Sequence, residues 1–132
     1  MDAMIRPLSL ALLLTFCAAA PAPADDLYDK CIEESDGTNL EWSRCGGAFI
    51  DREDSRLNAT WKRVLTLTSD QTKKDLLAEQ RAWNTYKERS CRFYANGEWG
   101  REGTVVHFML CRAAVIADRV KVLEFYAEFI GN

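Results

Sequence analysis

A single histidine, His107, and five cysteines bound the chemistry open to this chain. Nucleophilic catalysis needs a thiol or hydroxyl beside a base, and one histidine leaves no Cys–His or Ser–His–Asp set that is easy to assemble. A zinc site needs several nitrogen or sulfur ligands at close spacing, but no Cys-x-x-Cys pair occurs and His107 stands alone. Carboxylates sit side by side at Glu33/Glu34 and Glu53/Asp54. Adjacent helical residues point about 100° apart, so neither pair converges on one substrate. Catalytic residues, metal and cofactor are therefore all expected to be none. The chain reads as a binding protein, not an enzyme.

Two stretches carry side chains of the kind used in recognition. "AEQRAWNTYKERSC", Ala78 to Cys91, packs Gln80, Trp83, Tyr86 and Cys91 into little more than three helical turns. With Leu76, Phe93 and Tyr94 they fall on one face roughly 160° wide. Trp83 and Tyr86 on that face read as core, because large aromatics dominate burial. A buried Gln80 amide needs partners, which the backbone, Arg119 or Asp54 can supply. Arg81 points elsewhere, to the surface or to a structural salt bridge. The second stretch, "ANGEWGREG", Ala95 to Gly103, sets Trp99 between glycines, where helical periodicity does not explain it. Trp99 is either a lid folded on the bundle end or an exposed anchor of the kind enriched in interfaces. Glu98 and Glu102 suit a cationic partner, with Arg101 opposing.

These residues need a compartment and a scaffold. The apolar run "LSLALLLTFCAAA" after Arg6, ending in "APA", has the pattern of a secretory signal peptide over residues 1–24. It is too short to span a bilayer, and Phe16 is too large to precede a lipidated Cys17. A periplasmic or secreted protein without a membrane anchor is expected. Removing Cys17 leaves Cys31, Cys45, Cys91 and Cys111, an even set for an oxidising compartment. The remaining 25–132 suits one small domain, for which disulfides supplement a marginal core. A net charge of −3 with no basic run argues against nucleic acid.

All three prolines lie in the leader, so nothing after it forbids long helices. Thr38 and Glu41 form a capping-box pattern opening a first long helix to about Leu67, with Trp42, Cys45, Phe49, Leu57, Trp61 and Val64 on one face. Gly46 and Gly47 interrupt it, either to let the Cys31 segment pass close by or as a local kink. Glu53 on the apolar side is expected to pair with an arginine at the bundle edge. Asn58 starts an "NAT" sequon, but its helical setting marks it as a chance match. A second helix is expected from about Asp70 to Ala95 and a third from Thr104 to Ile130. The third should bury Cys111, Val115, Val122, Phe125, Tyr126 and Phe129 on one face, with further apolar residues opposite. With a short helical "DLYDKCIEES" in front, the fold class is all-α: an antiparallel three-helix bundle with a short N-terminal helical segment, pinned by two disulfides. Four cysteines allow three pairings, and hairpin topology favours Cys31–Cys45 with Cys91–Cys111.

The order of short motifs is similar to one known family. A first cysteine followed by "TNLEWSRC", then "DSRLNATW" with Asp54, Leu57 and Asn58, then "EQRAWNTYKERSC" with Gln80, Arg81 and Trp83, then "CRAAVIADRVKVL" with Arg119, together resemble the exported LprI-like lysozyme inhibitors. The likeness runs over nearly all of Cys31 to Leu123. The chain departs from the family pattern at Phe49, Glu53, Trp61 and Ile116, none of which removes a cysteine or the Gln-Arg-x-Trp core.

The resemblance implies a protein partner, a lysozyme, inhibited by occlusion of its active-site cleft. Lysozyme clefts hold catalytic carboxylates, toward which Arg101 or His107 would act as a donor. Trp99, Glu98, Arg101, Glu102 and His107 are the candidate contact residues. The alternative is an envelope structural or adaptor protein that binds another periplasmic protein and leaves lysozyme unaffected.

Overall fold

The computed structural model describes residues 25–132, so the leader expected at 1–24 lies outside the described residues. The Asp25 carboxylate starts helix α1 (Asp26–Glu33) by accepting the amides of Leu27 and Tyr28 at 2.9 and 3.0 Å. Its second oxygen takes Arg52 Nη2 at 2.7 Å, so one side chain both caps α1 and ties it to the next helix. Burial alone would raise the Asp25 pKa, but the hydrogen bonds and charge of Arg52 and the two amides outweigh it and hold it below the usual range.

Helix α2 (Asn39–Thr66) begins where Thr38 Oγ1 accepts the amide of Glu41 at 3.3 Å. Glu41 does not complete the box; its carboxylate pairs with Arg44 at 2.8 Å. The Cys31–Cys45 disulfide and the Tyr28–Phe49 ring contact at 5.7 Å fasten α1 along the first half of α2. Helix α3 (Asp70–Arg89) runs back, and α5 (Phe108–Gly131) returns parallel to α2. Between α3 and α5 lie a 3-10 turn (Arg92–Ala95), a single turn α4 (Gly100–Glu102) and a π-turn (Gly103–His107). The fold is the expected up-down-up three-helix bundle, and both disulfides, Cys31–Cys45 and Cys91–Cys111, have the favoured pairing.

The core is built mainly by α2 and α5. Leu57 and Val64 meet Ile116, Val120, Leu123 and Ala127, while Cys45 and Phe49 meet Ala113 and Tyr28. Helix α3 lends the edge residues Leu76 and Trp83. Glu53 is buried beside this core and accepts Arg56 Nη1 at 2.8 and 3.0 Å, the arginine pairing expected.

Four local expectations are corrected. Helix α3 stops at Arg89 instead of Ala95, because Ser90 turns extended and Cys91 takes a left-handed conformation, φ +69°, that aims its sulfur at Cys111. Phe93, beyond that end, is exposed, and so is Tyr86, which lies within α3 at the border of the expected face; neither is core. On α5 the buried face carries Ala113, Ile116, Ala117, Val120, Leu123 and Ala127, whereas Val122, Phe125 and Phe129 face outward. This helix is apolar on most sides, so period alone cannot choose the buried one; the alanines let α2 approach closely and the phenylalanines do not. Gly46 makes room for α5, not for Cys31: a Cβ there would stand 2.7 Å from Met109 Cβ, whereas one at Gly47 meets nothing.

Candidate partner-binding site

The α3–α5 link folds onto the end of the bundle through aromatic contacts. Tyr94, from the 3-10 turn, stacks on His107 of the π-turn with centroids 5.5 Å apart. Trp99 meets the edge of the same Tyr94 ring at 5.7 Å. Gly103 is buried against the Tyr94 carbonyl and the Trp99 Cβ, which leave no space for a side chain. Positive φ at Gly97 and Gly100 lets the chain reverse between these contacts. Trp99 is thus seated on one edge and 55% exposed, so it packs on the bundle end without being buried there.

Arg101 has a different setting from its neighbours. Its guanidinium donates to the Gly37 carbonyl and lies 4.4 Å from the centre of the Trp42 ring. It therefore ties the link to the α1–α2 turn. Glu98 is exposed, its amide held by Asn96 Oδ1 at 2.9 Å.

Beside this link a groove of about 520 Å³ opens between α1 and the start of α5. Tyr28, Ile32, Val106 and Leu110 give it an apolar floor, and Trp42 and His107 stand at its sides. Its rim holds three carboxylates, Asp29, Glu33 and Glu102. None of them takes part in an ion pair among the described residues. Uncompensated carboxylates over an apolar floor favour a ligand that is cationic and partly apolar.

Of the five candidate contact residues, Glu102 and His107 line the groove and Trp99 flanks it through Tyr94. Arg101 faces Trp42, and Glu98 lies outside. Tyr28, Asp29, Glu33 and Trp42 were missed. Asp29 and Glu33 are four residues apart on α1, a spacing that places both on one helical face and was the available signal.

The signature residues occupy the other half of the bundle. Arg119, 5% exposed, donates to Gln80 Oε1 from Nε at 3.0 Å and from Nη2 at 2.7 Å. It also pairs with Glu79, and its guanidinium lies 5.5 Å from the Trp83 ring. Asp54 faces Lys87 at 3.9 Å, Leu57 is core, and Asn58 and Arg81 are exposed on helices.

The model of the family described as lysozyme inhibitor LprI matches residues 31–123, well over half of the chain. The chain belongs to the LprI lysozyme-inhibitor family. The match spans both disulfides, the Arg119–Gln80 pairing and most of the groove. No curated protein and no solved structure matches the chain. LprI is a family of inhibitors, not of catalysts. Among the described residues no helix is long and apolar enough to cross a membrane.

Proposed function

We propose that this LprI protein is exported, binds a lysozyme directly and inhibits it by covering the active-site cleft. The observation that carries this reading is the family match over residues 31–123. The groove end of the bundle supports a contact there. Trp99 supplies an exposed aromatic anchor, and the carboxylates of Asp29, Glu33 and Glu102 receive cationic side chains of the enzyme. His107, exposed beside them, is the donor turned toward the enzyme's catalytic carboxylates. Arg101 braces the link against the α1–α2 turn.

Calorimetric titration of the exported protein against purified lysozymes tests this. Trp99→Ala is expected to weaken binding by more than about 1 kcal/mol while the protein stays folded. Raising salt toward physiological strength, where screening acts over about 8 Å, should weaken association further. Retention of a different periplasmic protein, with no lysozyme bound, would favour the adaptor alternative.

A further inference from the structure

The half of α5 farthest from the groove carries an apolar surface that the fold leaves uncovered. Val122, Phe125 and Phe129 are 40%, 65% and 78% exposed. Their spacing of three then four residues is that of a coiled-coil seam, distinct from the face that α5 turns to α2. The stripe continues into a second groove of about 350 Å³ between α3 and α5, walled by Leu76, Tyr126, Ile130 and Thr72 with the two phenylalanines. Exposed apolar surface of this kind marks an interaction site.

We propose that this stripe is a self-association surface on which α5 of a second copy of the chain pairs antiparallel about a two-fold axis. The charges along its free edge select that partner and that register. Lys121 and Glu128 are seven residues apart and share one edge of the stripe, within about 20° on the helix. When Val122 of one copy packs against Phe125 of the other, Lys121 stands opposite Glu128, and symmetry repeats the pair. Sliding the helices so that Phe125 meets Phe129 would set Glu128 against Glu128. A parallel pair would set Lys121 against Tyr126 and form no ion pair. In the favoured register Phe129 reaches the turn that holds Asp118, whose carboxylate Lys121 already binds at 2.9 Å.

The opposite edge of the stripe is bordered by α3, held to α5 through Arg119, Glu79 and Tyr126. Two copies therefore bring α3 and α5 of each into a four-helix arrangement whose interior is the apolar groove. The antiparallel pairing points the two Trp99 ends away from each other, so both stay open to partners.

The test is sedimentation equilibrium of the protein expressed as the full chain, so that any export processing takes place. Twice the monomer mass is expected at tens of micromolar chain. Phe129→Glu should return it to monomer with its helical circular dichroism unchanged, since this side chain is mostly outside the fold. Lys121→Glu and Glu128→Lys alone should each weaken self-association roughly tenfold, as two ion pairs become two repulsions. Mixing these two variants should restore the dimer, because each mixed pair regains both attractions. A monomeric mass up to about 1 mM chain overturns the proposal. So does a dimer that is indifferent to Phe129→Glu or is not restored in the mixture.

Discussion

The carbonyl oxygen of Gln80 accepts two hydrogen bonds from Arg119, at 3.0 and 2.7 Å, across the α3–α5 interface. The same guanidinium pairs with Glu79 and lies over Trp83, so one buried cation organises the face that α3 turns to α5. Helix α3 brings few apolar residues to the core, and this polar lock compensates for them. Arg119→Ala is expected to cost about 2–4 kcal/mol, because it leaves Gln80 unpartnered and a cavity beside Trp83. Arg81→Ala, one residue along but exposed, should stay within about 0.5 kcal/mol of wild type. Thermal melts of the two variants separate them.

The lock gives stability a defined acid limb. The Arg119 hydrogen bond, opposed by burial and helped by the Arg119 charge and the Tyr126 hydroxyl, holds Glu79 below its ordinary 4.5. A depressed carboxylate stabilises the fold above its unfolded pKa, and the contribution is lost as pH falls through the folded value. Urea unfolding should therefore show Glu79→Gln less stable than wild type by a constant amount from pH 6 to 8. That gap should shrink as pH drops below about 4.5. A gap that widens toward acid would contradict the pairing.

Gly46 and Gly47 are adjacent in α2 yet predict opposite outcomes. Gly46→Ala forces a Cβ against Met109 close to the α5 backbone and should cost about 1–3 kcal/mol. Gly47→Ala meets open space and should raise stability by about 0.5–1 kcal/mol, the ordinary gain of alanine over glycine inside a helix. Denaturant midpoints of both variants check the contrast.

Much of this was legible in the residues for physical reasons. Cysteine parity and hairpin topology led to both disulfides, and the need of a buried amide for a partner left Gln80 the backbone, Arg119 or Asp54, of which the fold uses Arg119. Glu53 found its arginine by the same logic. Helix α5 misled because its apolar residues surround it, and only its neighbours decide that Ala113 and Ala127 go inside while Phe125 and Phe129 stay out. Phe93 was misplaced by extending α3 past Cys91, whose left-handed turn leaves no periodic trace, whereas Tyr86 sits within α3 at the border of a face drawn too wide. The groove draws on α1, α2 and the π-turn at once, and no local window places Glu33 beside Glu102.

Export itself is open to a simple check. The intact mass of protein recovered from the periplasm should correspond to a chain beginning at Asp25. A retained leader or a lipid on Cys17 would contradict the reading of residues 1–24.

Inhibition is expected to arise from direct contact at the groove end of the bundle. A peptidoglycan lysis assay with chicken-type, goose-type and invertebrate-type lysozymes tests it most directly. At least one enzyme is expected to lose activity in proportion to added protein, and the loss should be relieved in Trp99→Ala and in Glu33→Gln with Glu102→Gln. Full lytic activity of all three enzymes at high micromolar protein would contradict the account.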